Sequence, residues 1–294
     1  MTLTKTFLRR AAALSFALLT LAGVPLRAQQ LGWEGSTGVF ITPLAYTAAP
    51  SEGKKIANPA IAYHYLDGGP VLGQFSQFSI TSGALGRSEF GYTHTFHATG
   101  SNTSLSPLWT DGFDTFHGKI LLVKENSGKT KWVPAISVGG VARIQVRNVG
   151  GVLTSKDTSN GDAYLAASKT VTQVKHLPFL VSAGVRGTNA QLFGLGGNAP
   201  NFSARAFGSV AFVFKGPEKS TIILAGEASQ QPHTIANLPG TTIPTSLVYA
   251  VRVLPGPKLP LNVDFGILQA AGKIAPTVDL QARARPAFAI SYKF

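Results

Sequence analysis

The chain has 294 residues, of which 44% are hydrophobic and only 13% are charged, and its formal net charge is +13. The absence of Cys excludes a lipid-modified cysteine, a disulfide framework and thiol chemistry. The cations are dispersed, with Lys54-Lys55 the longest run, which argues against nucleic-acid binding. After residue 28 no stretch approaches the roughly 18 continuous apolar residues of a membrane helix. This combination is typical of a transmembrane β-barrel, in which half of each strand faces the lumen; a secreted soluble β-sandwich or propeller is the alternative.

Residues 1–28 have the pattern of a secretory signal peptide. Lys5, Arg9 and Arg10 form a basic start, an uncharged apolar run follows, and the small residue Ala28 predicts cleavage before residue 29. An uncleaved anchor is the alternative, although the apolar run is short for a membrane span. Removal of four of the 26 cations leaves 22 cations against 13 acids, a net charge of +9.

Residues 29–55 form a lead segment punctuated by Gly and Pro. Pro43 interrupts its apolar run and argues against a central strand, because proline cannot donate to a sheet ladder. We therefore interpret the lead as a plug inside the lumen or mouth of the barrel, with a periplasmic lead or an edge strand as the alternatives, and assign residues 56–294 to the barrel.

Twelve strand-like segments follow, each with β-branched or aromatic residues in partial alternation and each bounded by Gly, Pro, Asn or Ser. None has a sustained helical period. The even number fits a closed antiparallel barrel with both ends in the periplasm. The predicted strands are 56–67, 73–83, 87–97, 115–125, 131–145, 161–172, 177–188, 202–215, 220–229, 244–254, 261–271 and 284–294.

The connectors between these segments alternate between short and long. Short periplasmic turns and long external loops are typical of bacterial barrels, and the phase fits a last strand that descends to the periplasm. Residues 67–70 are the exception, because this external connector is short.

The last strand has large apolar residues at every second position, with small or polar residues between them. A strand has a side-chain period of two, so these residues share one face. The stretch resembles the closing strand of bacterial outer-membrane β-barrels, and the resemblance implies that the barrel-assembly machinery reads this ending and that the protein lies in the outer membrane. The residues concerned are Phe288, Ile290, Tyr292 and Phe294.

Three glycine-rich stretches, residues 33–46, 161–169 and 192–197, are similar to an uncharacterised family of proteobacterial outer-membrane proteins known as a domain of unknown function. The similarity extends distantly to barrel proteins associated with exopolysaccharide production. It implies the barrel architecture and no particular chemistry. The glycines of 192–197 are expected to let an external loop fold inward.

No residue pattern predicts a catalytic or metal site, and no cofactor is expected. His94 and His97 are three apart on a strand, so they lie on opposite faces and cannot chelate one ion. No Gly-x-Ser-x-Gly or comparable nucleophile context is present. The chain is therefore predicted not to be an enzyme, with a lipid-modifying barrel enzyme as a third-ranked alternative.

Charged residues on the strands are expected to face the lumen, because an arginine in hydrocarbon costs about 2–4 kcal/mol. Strand direction predicts two luminal clusters. One, near the external mouth, contains Arg186, Arg205 and Glu227; the other, near the periplasmic end, contains Arg252, Asp264 and Lys293. Inward cations outnumber inward acids, which predicts a weakly anion-favouring pathway or, alternatively, ion pairs that brace a narrow barrel. The other residues assigned to the lumen are Glu89, Lys119, Arg143 and Lys169.

The sequence thus predicts a passive channel or binding barrel for a small solute. A structural or assembly role in envelope or exopolysaccharide handling is the alternative. Expected partners are outer-membrane lipids, through lysines concentrated at the short turns, the barrel-assembly machinery, through the last strand, and a small solute.

Overall fold

The computed structural model describes residues 31–48, 55–102, 112–128, 130–145, 159–174, 177–195, 197–232, 243–256, 259–270, 273–275, 278–279 and 281–294. The expected signal peptide and its cleavage position lie outside these residues.

Twelve long strands form the wall of the molecule, and a small two-stranded hairpin stands in a connector. The bounds are β1 Ala60–Asp67, β2 Gln74–Ala84, β3 Ser88–Ala98, β4 Phe113–Val123, β5 Ala135–Gln145, β6 Asn160–Val171, β7 Phe179–Gln191, β8 Gly197–Lys215, β9 Thr221–Ser229, β10 Ser246–Leu254 and β11 Leu261–Gln269, followed by the hairpin β12 Lys273–Ala275 with β13 Val278–Asp279 and by β14 Arg285–Lys293.

The wall is closed. Each long strand pairs antiparallel with its neighbours in the chain, and β14 returns to β1 with Ala60 opposite Lys293 and Tyr65 opposite Phe288. The prediction of a closed antiparallel barrel of twelve strands is confirmed. A short helix, Gly69–Leu72, and the β12–β13 hairpin are additions that the sequence pattern did not predict.

Connectors of two kinds define the two ends of the barrel. Residues 85–87, 124–134, 172–178, 216–220 and 255–260 join strands at what we call the short-turn end, and the other connectors join them at the long-loop end. The predicted strands 177–188 and 202–215 imply a long connector between them. This prediction is wrong, because β7 and β8 continue pairing beyond an irregularity after Thr188. The chain reverses over a short 3₁₀ segment, Leu192–Gly194, with positive φ angles at Leu192 and Phe193.

The outer surface of the barrel is apolar around its whole circumference. Exposed large side chains occur on every wall strand, among them Phe78 on β2, Val185 on β7 and Phe265 on β11. Along β14 the residues between the outward positions, Ala287, Ala289 and Ser291, are buried, so the predicted face of Phe288, Ile290, Tyr292 and Phe294 points outward. No helix in the described part of the chain is long and apolar enough to cross a membrane.

Residues 31–48 lie inside the barrel, and we call this segment the plug. Fourteen of its eighteen residues are buried and the other four are half-buried, and Leu31, Trp33, Phe40 and Leu44 are only 1–2% exposed. Antiparallel bridges join Leu31 to Thr37 and Gly38 to Pro43, which folds the segment back on itself. The segment contacts inward-facing side chains of the wall strands, among them Glu89, Lys119 and Glu227.

Two inward aromatic rings lie over glycines of the neighbouring strand. A Cβ atom at Gly139 would come within 2.3 Å of the Tyr164 ring, and one at Gly184 within 2.3 Å of the Phe207 ring. This packing reverses the expected phase of β6, because Tyr164 faces the lumen although an aromatic was expected to face lipid. The inward assignment of Lys169 is accordingly wrong.

Candidate functional site

The plug and the wall residues that hold it form the candidate site. Charged and polar side chains point inward from the strands, and most of their bonds end on plug atoms. Charged wall residues hold the plug at four places, and neutral polar groups add further bonds.

Glu227, on β9, binds the backbone of the plug. Its carboxylate accepts hydrogen bonds from the N–H groups of Phe40, Ile41 and Thr42 over 2.7, 3.0 and 2.7 Å, and from the Thr42 hydroxyl over 2.6 Å. Three successive N–H groups that converge on one anion form a nest, an arrangement that backbone amides offer to negative groups. Glu227 therefore acts as a ligand of the plug.

Glu89 and Lys119 form a fully buried ion pair between β3 and β4, with 3.2 Å between Lys119 Nζ and Glu89 Oε1. Glu89 also accepts the N–H groups of Thr37 and Ala48 and the Thr37 hydroxyl. Lys119 donates to the carbonyl groups of Thr37 and Leu44 over 2.8 and 3.0 Å. The pair thus holds both arms of the folded plug.

Arg143, on β5, is fully buried and joins the plug to β6. It pairs with Glu34 of the plug, with Nε 2.5 Å from Oε1, and with Asp162 of β6, with Nη2 2.7 Å from Oδ2. Burial raises the pKa of Glu34 above its ordinary value, and the Arg143 guanidinium opposes this rise.

Arg252 and Asp264 are cross-strand partners on β10 and β11, and their side chains form a two-pronged ion pair of 2.5 and 2.6 Å. Arg252 Nη2 also donates to the Val39 carbonyl over 2.9 Å, so this pair too contacts the plug. Lys293, assigned to the same cluster from the sequence, is half-buried at the end of β14, and its N–H group donates to the Pro260 carbonyl.

The structure distributes the other expected cluster differently. Arg186 and Arg205 are direct cross-strand partners on β7 and β8. Glu227 bonds the plug instead of either arginine, while Arg186 lies 3.6 Å from Asp162. Arg186 is also held between the rings of Phe193 and Phe207, at 5.0 and 5.3 Å.

The last residues of the plug are bonded to polar groups near the short-turn end of the barrel. The Ala45 N–H group donates to the Ser168 hydroxyl over 2.8 Å, and the Tyr46 hydroxyl donates to Glu125 over 2.9 Å. Burial raises the pKa of the Tyr46 phenol well above its ordinary value, and the neighbouring Glu125 adds to the rise. Lys169 pairs with Glu125 here, 3.2 Å away, rather than facing the lumen.

At the long-loop end the plug meets an apolar cap. Trp33, Phe40 and Ile41 of the plug belong to one buried cluster with Leu192 and Phe193 of the β7–β8 connector. The inward position of this connector matches the expectation for the glycine-rich stretch 192–197. A small, almost wholly apolar cavity lies between the plug and the cap residues.

Sequence reasoning missed Asp162 and the plug's part in binding the wall charges. The alternation along β6 did hold a signal for Asp162, because Asp162, Tyr164, Ala166 and Ser168 share one buried face. The partners of Glu227 gave no signal, since Thr42 lies 185 residues away in the chain.

The two histidines of β3 lie on opposite sides of the wall. His94 pairs with Asp114 on the outer face, at 2.7 Å, while His97 faces the Leu72 carbonyl inside. Within the described ranges, no three His, Cys, Asp or Glu side chains gather in a way that could hold a metal ion.

These features define a twelve-stranded barrel with an apolar exterior and a lumen occupied by its own N-terminal segment. No family model and no curated protein matches the chain. Among solved structures, the chain is similar to a KdgM porin, with 11% identity and a TM-score of 0.47 over 80% of this chain and 99% of that one. It is also similar to a NanC porin, with 9% identity and a TM-score of 0.47 over 80% of this chain and 98% of that one.

Proposed function

We propose that the chain is an outer-membrane channel for small solutes that its own plug closes at rest, and that it opens when the plug withdraws. The apolar exterior supports membrane insertion, since soluble proteins do not expose a continuous apolar belt. The signal-peptide pattern and the outward apolar face of the closing strand β14 support the outer membrane as the location.

The polarity of the inner wall is the observation that carries the proposal. A permanently packed small barrel fills its interior with side chains that need no water. Here the buried inward residues are largely polar, and they include Gln77, Thr95, Thr115, Ser137, Ser182 and Ser209 as well as the charged groups that hold the plug. Withdrawal of the plug would leave a lumen that water can wet.

The plug is attached in a way that allows release. Its polar contacts with the wall are hydrogen bonds and ion pairs, which water can replace once the lumen is hydrated, at a modest net free energy of roughly 0.5–1.5 kcal/mol for a neutral bond. Its apolar side chains also pack against the wall and the cap, and this packing opposes release. Inward cations exceed inward acids in the wall, which favours small anionic solutes in the open state.

A disulfide between the plug and the wall tests this proposal. The chain has no Cys, so Ala45→Cys with Ser168→Cys would create a single pair at a position where the Ala45 nitrogen lies 2.8 Å from Ser168 Oγ. In planar bilayers the oxidised double variant should be silent, and reduction should restore the openings of the wild-type chain. Ala45→Cys alone is the matched control and should not respond to reductant.

Deletion of residues 29–55 gives the converse measurement. The deleted barrel should conduct continuously, provided that a shift in gel mobility on boiling shows that it is folded. A folded barrel without the plug that conducts no ions would overturn the channel and leave the structural or assembly role.

A further inference from the structure

The Arg186–Arg205 pair is an unusual element of the wall. The two residues stand directly opposite each other on β7 and β8, and Thr188 and Ser203 form the next pair with the same inward orientation. Cross-strand partners project to the same face, so two guanidinium groups share one patch of the lumen. Like charges placed this way destabilise a sheet unless another group balances them.

The neighbouring acids balance this patch incompletely. Asp162 lies 3.6 Å from Arg186 Nη1 but is bonded at 2.7 Å to Arg143, and Glu34 also pairs with Arg143. The carboxylate of Glu227, which the sequence places at the same depth, is occupied by the plug. Among the described side chains, the ion pairs here join Arg143 and Arg186 to Asp162 and Arg143 to Glu34, and none reaches Arg205.

The hydrogen bonds of the two arginines leave donors unused. Arg186 Nη2 donates to Ser229 Oγ over 2.9 Å, and Arg205 Nη1 donates to the Ala204 carbonyl over 3.3 Å. The Nε atoms of both arginines and the Ser203 hydroxyl are buried and have no hydrogen-bond partner. Both Nε groups can only donate, so the group that this patch lacks is an acceptor.

Arg186 is also held in position. Its side chain is 5% exposed, and the Phe193 and Phe207 rings cover it. A narrow cavity lined by Glu34, Asp162 and Tyr164 lies beside it, between the plug and the wall. The Tyr164 hydroxyl is a further buried group without a partner. A fixed guanidinium with a free donor edge is suited to an oxyanion.

We infer that Arg186, Arg205 and Ser203 form a binding site for a small soluble oxyanion, a carboxylate or a phosphate. Both arginines face the lumen, so a lipid headgroup outside the wall cannot reach them. The inference deepens the proposed function, and it rests on that function for the route by which the anion enters the lumen.

Phosphate binding to the intact chain tests the site without any need for conductance. The wild-type chain in a non-ionic detergent is titrated with inorganic phosphate at constant ionic strength, and binding is followed by ³¹P line broadening. Arg205→Gln should weaken binding about tenfold or more, since a bond to a charged donor contributes roughly 1.5–3 kcal/mol. Arg205→Lys keeps the charge but lacks the guanidinium group, so its affinity for phosphate should lie between those of the wild type and Arg205→Gln.

Arg283→Gln is the matched control, because Arg283 is an exposed arginine at the same end of the barrel and pairs with Asp279. It should bind phosphate like the wild type. Non-saturable broadening in the wild type would show that water satisfies these donors and would overturn the site, as would equal binding in Arg205→Gln or an equal loss in Arg283→Gln. If the chain binds phosphate but its plug-deleted barrel conducts no ions, the channel is refuted and the binding site stands. If the barrel conducts ions but the chain does not bind phosphate, the binding site is refuted and the channel stands.

Discussion

Thr42 donates both its backbone N–H group and its hydroxyl group to the same oxygen of Glu227, over 2.7 and 2.6 Å. Phe40 and Ile41 donate to the same carboxylate, so a single wall residue holds the turn of the plug. Because the acid is buried and its described bonds all end on the plug, withdrawal of the plug has to break them together. Glu227 is therefore the residue at which plug retention is most sensitive to a single change.

Glu227→Gln should release the plug more often. A glutamine keeps the shape but lacks the charge, and its amide nitrogen would face N–H groups that need an acceptor. We expect the free energy that retains the plug to fall by about 1–3 kcal/mol, and hence the ratio of open to closed channels in planar bilayers to rise by roughly 5- to 150-fold. Glu218→Gln removes the same charge from an exposed turn and should leave the openings unchanged. Equal open probabilities in the two variants would contradict the role of Glu227.

The barrel could be predicted from the sequence because its signals are local. Apolar–polar alternation, turn residues and connector lengths can each be read within about a dozen residues. Together they predicted all twelve wall strands. The phase of β6 could not be read this way, because the contact that turns Tyr164 inward involves Gly139 on another strand. Arg186 and Arg205 were brought together by strand depth alone, whereas the binding of Glu227 to the plug depends on a contact far along the chain.

The Glu89–Lys119 pair should show strong coupling in a double-mutant cycle. Removal of one partner leaves the other charge buried, which costs about 3–5 kcal/mol. Glu89→Gln and Lys119→Met should each lower the free energy of unfolding by that order, and the double variant should lose clearly less than the sum of the two. Urea unfolding in detergent measures all three. If the losses of unfolding free energy are additive, the two side chains do not stabilise each other, and each contributes only through its own bonds to the plug.

Gly139 should not tolerate a side chain. A Cβ atom there would meet the Tyr164 ring at 2.3 Å, so Gly139→Ala has to displace a buried aromatic and should lower the free energy of unfolding by about 1–3 kcal/mol. Gly226, on β9, has no atom within 4 Å of the corresponding position, so Gly226→Ala should be neutral or slightly stabilising. Equal unfolding midpoints for the two variants would mean that the Tyr164 ring moves freely and does not fix the phase of β6.

Phe294 should matter for assembly more than for stability. Its side chain is 58% exposed, its N–H group donates to the Pro59 carbonyl over 3.1 Å, and its ring contacts Tyr292 at 5.1 Å, so few contacts of the folded barrel depend on it. Deletion of Phe294, or Phe294→Glu, should therefore reduce the amount of folded barrel in the outer membrane while secretion continues. Gel mobility before and after boiling, measured on membrane fractions, separates folded from unassembled chains.

Phe265→Ala is the control. It removes a ring of similar exposure, 56%, from the neighbouring strand β11 and should assemble normally. If the Phe294 variants assemble as efficiently as Phe265→Ala, the terminal residue is not read during assembly and β14 is an ordinary closing strand.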